Sequence, residues 1–123
     1  MRQIFIVFLG GGFGSVSRFL LSKTISRQFE LTFPLGTFFV NILGCFLIGV
    51  VYALVAKYRL SPALSLLLAT GFCGGFTTFS SFAYENNSLF ESGDYLTLFL
   101  YVSLSVMLCL FATFLGIFIA RNT

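Results

Sequence analysis

Apolar residues fill three charge-free intervals of this chain, Phe33 to Ala56, Leu60 to Tyr84 and Tyr95 to Ala120. Each exceeds the roughly 20 residues that an α-helix needs to cross a hydrocarbon core, so each predicts a membrane span. A fourth interval, Gln3 to about Ser22, is interrupted by Arg18. That cation lies near one end, where a long side chain can reach the interface or turn into the protein, so a fourth span is expected. The run Ile4 to Leu9 leads into glycines rather than into a small-residue cleavage site and a soluble domain, so it reads as a span and not as a leader. The expected fold is an all-α membrane protein, one domain over 1–123, with spans at about 3–22, 33–56, 60–84 and 95–120 joined by short loops.

Within the third span the pattern changes. Gly71-Phe72-Cys73-Gly74-Gly75-Phe76-Thr77-Thr78-Phe79-Ser80-Ser81-Phe82 interleaves glycines, hydroxyls and phenyl rings. Each glycine costs roughly 1 kcal/mol relative to alanine in a helix interior, and the hydroxyls offer donors and acceptors where lipid offers none. The run is read as a helix broken within the membrane, with Gly74, Gly75 and Thr77 doing the breaking, beside a polar path.

Composition narrows the chemistry. The chain is 58% hydrophobic and 9% charged, too little polarity to assemble a solvated surface. It has no histidine, which removes Ser-His-Asp triads, Cys-His pairs and histidine zinc sites. Cys45, Cys73 and Cys109 fall one per span without CxxC spacing and read as packing residues. The acidic residues Glu30, Glu85, Glu91 and Asp94 fall in or near expected loops, so paired-carboxylate catalysis has no buried partners. An enzyme is not expected. The net charge of +3 reflects membrane topology rather than nucleic-acid binding. Transport remains.

The polar residues inside the spans are periodic. Thr37, Asn41 and Cys45 share a face of the second span, and Thr97, Tyr101, Ser105, Cys109 and Thr113 recur every four residues on the fourth. A buried asparagine needs a partner; its amide can donate to an anion or a carbonyl, or act as interhelical glue. Phe79 and Phe82 lie i, i+3 beside Ser80 and Ser81. Rings presented edge-on attract an anion; ordinary packing is the other reading.

Lysine and arginine are nearly balanced. Arg2, Lys57, Arg59 and Arg121 fall on the side of the termini, against Lys23 and Arg27, with Arg18 if it reaches that interface. The small excess favours termini inside yet leaves orientation under-determined, as a dual-topology protein requires. Gly10, Gly14, Gly36, Gly44 and Gly49 permit close helix approach, either within one chain or across a two-fold dimer.

Three blocks carry a family resemblance. The run Gly71 to Phe82 resembles the GxCGGxTTFSTF pattern of the Fluc/CrcB fluoride channels, Gly36 to Gly44 resembles their GTLxVNxxG, and Gly11 to Phe19 resembles their GGxxGAxxRY. The resemblance spans essentially the whole chain. It implies an antiparallel, dual-topology homodimer in the bacterial inner membrane that exports fluoride passively through two pores, with a structural sodium ion at the dimer centre. By the same resemblance, Gly74 and Thr77 carbonyls hold the sodium, and Asn41, Phe79, Phe82, Tyr101, Ser105, Thr37 and Ser81 line the fluoride pathway. Arg18 and Glu85 lie towards the vestibule. Ser15, Phe19 and Ser81 are mild departures, while Cys109 places a thiol, a weaker donor, where a hydroxyl is expected. Small multidrug-resistance-type cation exporters share the length and span count. They need a carboxylate within a span, and Glu85, at the edge of the third, is the one candidate.

Overall fold

The computed structural model describes residues 1–29 and 31–123; Glu30, expected in the first loop, lies outside them. Helix α1 is Arg2–Gln28 and α2 is Leu35–Tyr58. The third membrane-length segment, Pro62–Glu91, is composite. It opens with α3 (Pro62–Ser65), widens into a π-helical stretch (Leu66–Cys73), resumes as α4 (Gly74–Phe76), and after two extended residues becomes α5 (Phe79–Glu91). Helix α6 is Tyr95–Asn122. The described residues thus form an all-helical, multi-pass membrane protein with four helices long and apolar enough to span a bilayer. Large apolar side chains such as Phe8, Phe13, Phe111 and Phe118 face outward.

Local chemistry sets the helix ends. Ser61 caps α3 by accepting from the Leu64 amide at 3.3 Å, ahead of Pro62, whose missing N–H is no loss in a first turn. Asp94 caps α6 through the Thr97 amide at 3.1 Å. Before it, Gly93 turns the chain at φ +77, a backbone conformation that side-chain-bearing residues rarely adopt. The helices outrun the charge-free intervals. Lys23 and Arg27 belong to α1, and Glu85, expected in or near a loop, is a residue of α5.

Two tight pairings organise the bundle. Helix α1 lies along the π-helical stretch with backbone against backbone: a Cβ on Gly10 would strike the Leu67 carbonyl, and one on Gly14 the Phe72 carbonyl. In the same way α2 runs beside α6, with Gly49 against the Thr113 carbonyl and Gly116 against that of Phe46. Lys57 Nζ reaches the Arg121 carbonyl at 3.5 Å in the same parallel register. Lipid supplies no hydrophobic force between helices, so dispersion gained at such close approach carries the association.

The glycines therefore do something other than expected. Gly74 has φ −64 and ψ −34, and Gly74–Phe76 is helical; the chain leaves the helix at Thr77 (ψ 152) and Thr78 (φ −146, ψ 115). Gly75 is required because a Cβ there would sit 2.5 Å from the Gly11 carbonyl oxygen. Gly71 and Gly75 fit the segment to α1, while the threonines interrupt it.

Gly14→Ala should destabilise the protein by about 1–3 kcal/mol, the usual cost of overpacking against atoms that cannot move aside. Gly12, with nothing within 4 Å of its Cβ position, is the control: Gly12→Ala should leave stability unchanged or raise it. Thermal unfolding of both variants in one detergent checks this, and equal midpoints would refute the backbone-contact account.

Candidate functional site

The interruption orphans several backbone groups, and two of the amides find substitute partners on side chains. In an unbroken helix the Thr78 N–H would donate to the Gly74 carbonyl; here it donates to Asn41 Oδ1 at 2.8 Å. Asn41 Nδ2 in turn donates to the Thr78 carbonyl at 3.0 Å. One side chain of α2 thereby holds both main-chain groups of Thr78. The Ser81 N–H, which would have served the Thr77 carbonyl, donates instead to Thr78 Oγ1 at 3.2 Å as the N-cap of α5. Among the carbonyls that lose their helical donors are those of Gly74 and Thr77.

Gly75 is treated differently. Its carbonyl accepts from Arg18 Nε at 3.2 Å and from Ser15 Oγ at 3.4 Å, both on α1. A hydrogen bond to a charged donor contributes roughly 1.5–3 kcal/mol, so Arg18 braces the end of α4. Arg18 also lines a groove of ≈ 330 Å³ with Ser22, Lys23, Thr37, Thr78 and Ser81. Two cations and four hydroxyls give that groove a lining suited to an anion.

Because α2 and α6 run parallel in register, their polar faces meet as rungs: Thr37 with Tyr101, Asn41 with Ser105, Cys45 with Cys109, and Gly49 with Thr113. The first rung is bridged by Glu85. Its Oε1 accepts from Thr37 Oγ1 at 2.6 Å and its Oε2 from Tyr101 Oη at 2.7 Å. Tyr101 is fully buried. Its ring packs on Phe82 (centroids 5.1 Å apart) and, edge-to-face, on Phe33 (5.3 Å). Phe79 follows Phe82 at 5.7 Å yet is 79% exposed.

A second cavity, ≈ 270 Å³, opens between the next two rungs and the phenyl rings. Asn41, Cys45, Phe79, Phe82, Ser105 and Cys109 line it. Ser105 Oγ is buried there without a hydrogen-bond partner. A buried hydroxyl left unpaired costs about 1–3 kcal/mol, so this one stands ready for an acceptor that enters the cavity.

The expected residues thus separate. Asn41, Phe79, Phe82 and Ser105 share the second cavity; Thr37, Ser81 and Arg18 share the groove; Tyr101 is committed to Glu85. Gly74 and Thr77 stand at the interruption. Sequence reasoning overlooked three functions: Thr78 as clamp and cap, Ser15 as second donor to Gly75, and Glu85 as the bridge between α2 and α6. Spacing carried signals for two of them. Thr78 stands three residues before Ser81, as an N-cap does, and Glu85 follows Phe82 by three residues on one helical face.

Comparison with known proteins places the chain. A family model described as CrcB-like protein, Camphor Resistance (CrcB), matches residues 5–117. A protein of Gloeothece citriformis is 50% identical over 122 residues, covering 99% of each chain. Others from Flavobacterium psychrophilum and Aquifex aeolicus are 48% and 44% identical, each over 123 residues and 99% of both chains. All three are named fluoride-specific ion channel FluC. The chain belongs to the CrcB family.

Proposed function

We propose that this protein is a fluoride-selective channel that lowers cytoplasmic fluoride by passive export, working as an antiparallel, dual-topology homodimer with two pores in a bacterial inner membrane. The observation that carries the reading is the unpaired Ser105 hydroxyl, buried in a cavity walled by Asn41 and by the rings of Phe79 and Phe82. Fluoride is small and a strong hydrogen-bond acceptor. Neutral donors and ring edges can replace part of its hydration without holding it as tightly as a buried cation would. The Asn41 amide has a second hydrogen beyond the one given to Thr78. Thr37 and Tyr101 serve the route only where Glu85 releases their hydroxyls, and the groove beside Arg18 and Ser81 forms the vestibule. The names of the relatives support fluoride over the cation-exporter reading.

Assembly follows from what a single chain leaves open. Phe79, though part of the cavity wall, is mostly exposed, and Gly74 is exposed with no atom nearer to its Cβ position than the Ala69 carbonyl oxygen at 3.9 Å. A second, inverted copy covering this face would complete each pore and bring the two interruptions together at mid-membrane, with lipid against the remaining apolar surface. The carbonyls of Gly74 and Thr77, stripped of helical donors, fit a structural sodium ion there: they are hard, neutral oxygens turned out of a broken helix. Bound sodium would supply a fixed positive charge that holds the two interruptions in place.

Liposomes containing the purified protein should dissipate a fluoride gradient, and not a chloride gradient, when a potassium ionophore clamps the voltage. Equal chloride flux, or none of either ion, would refute the channel. Phe79→Ile and Phe82→Ile should each slow fluoride flux by at least about tenfold, equivalent to ~1.4 kcal/mol of barrier, while the oligomer persists. Unchanged flux in both would make these rings packing residues. A C-terminal tag should be detected on both faces of the membrane in cells, whereas placement wholly on one face would exclude the inverted dimer.

A further inference from the structure

We propose that Cys45 and Cys109 form a two-coordinate site for a soft monovalent cation of the silver(I) or copper(I) class, in the wall of the cavity that holds Asn41 and Ser105. The thiols occupy one rung of the parallel α2–α6 pair, one turn beyond Asn41 and Ser105. Both line the cavity, and both are free cysteines. The backbones are held in this register by close contact one turn further on, where a Cβ on Gly49 would strike the Thr113 carbonyl. The helix register that places both thiols on the cavity wall is therefore fixed before any ion arrives.

The donor set selects the ion. No group of three or more His, Cys, Asp or Glu gathers anywhere among the described residues, so the four ligands that zinc prefers are lacking. Two sulfurs suit ions that accept linear, two-coordinate binding, and thiolates favour soft cations over the hard ones that carbonyls hold. Charge also balances. Binding one monovalent cation with loss of one thiol proton leaves a metal, one thiolate and one thiol, neutral overall, as an apolar wall requires. No oxidant or reductant takes part. Cys73, 1% exposed and absent from the cavity wall, lies outside the site.

The consequence for ion flow rests on the proposed function: a bound metal would occupy the cavity beside Phe82 and Ser105 and obstruct fluoride. Binding can be tested without that reading. Silver nitrate titrated calorimetrically into the purified protein, in chloride-free buffer, should bind one ion per chain and release one proton. Cys45→Ser and Cys109→Ser should each weaken binding by well over tenfold, because losing a direct ligand exceeds the roughly 10–100-fold cost of losing an outer partner. Cys73→Ser should bind as the unaltered protein does. In the unaltered protein, one equivalent of silver should protect both Cys45 and Cys109 from maleimide, read by peptide mass. Wild-type-like binding by either serine variant, weakened binding by Cys73→Ser, or protection of only one thiol would overturn the site. Silver fluoride added to the liposome assay then reads the block. Absence of fluoride flux before silver is added would refute the channel, while the titration would stand by itself.

Discussion

The bond pair between Asn41 and Thr78 is the constraint on which the other features depend. An interrupted helix leaves amides and carbonyls that apolar surroundings cannot satisfy, each at a cost of several kcal/mol. Asn41 meets this by presenting an acceptor and a donor to one residue, and so fixes where the interruption falls. It also ties the third segment to α2, which sets the position of Phe79, Phe82 and Glu85 at the start of α5. Asparagine and glutamine carry an acceptor and a donor side by side on one planar amide, and the longer side chain would misplace them. An aspartate would bring a charge and no donor.

Close backbone contact supplies what hydrogen bonds do not. Glycines hold the π-helical stretch against α1 and hold α2 against α6. The first contact lets Arg18 and Ser15 reach the Gly75 carbonyl, so α4 is braced from one side by α1 while Thr78 is clamped from the other by α2. The second puts the polar faces of α2 and α6 in register. Glu85 then draws the Thr37 and Tyr101 hydroxyls together on a single carboxylate, and the rung below it is left with an unpaired serine.

Hydrophobic periodicity made the four helices legible, because a span is a long composition signal that tertiary contacts seldom override. Asn41 and Ser105 were legible as facing away from lipid for a related reason: polar residues repeating every four positions have to face something else. The point of interruption was legible only in part: Thr77 leaves the helix as expected, whereas Gly74 and Gly75 do not. Glycine propensity favoured a break at Gly74 and Gly75, yet low helix propensity is a matter of ~1 kcal/mol and tertiary packing against Gly11 outweighs it. Glu85 was misjudged in the same way. A carboxylate near the end of an apolar run suggests a loop, whereas two hydroxyl donors from neighbouring helices accommodate it inside α5.

Donor and acceptor accounting joins the two halves of the proposed mechanism. Every amide at the interruption that is diverted to a side chain releases a carbonyl: Asn41 frees that of Gly74, and the Thr78 hydroxyl frees that of Thr77. Gly74, one of the two residues whose carbonyls are so freed, is exposed on the single chain. The spare donors, Ser105 and the second Asn41 hydrogen, belong to residues that line the cavity together with the rings of Phe79 and Phe82. Diverting these two amides takes Asn41 and a hydroxyl at position 78, which glycines alone would not supply. A glycine at position 78 would still leave Asn41 its backbone partners but would remove the cap on α5, returning the Ser81 amide to the search for an acceptor. The Thr77 carbonyl is the nearest one that a resumed helix would offer, so losing the threonine would let that amide reclaim it.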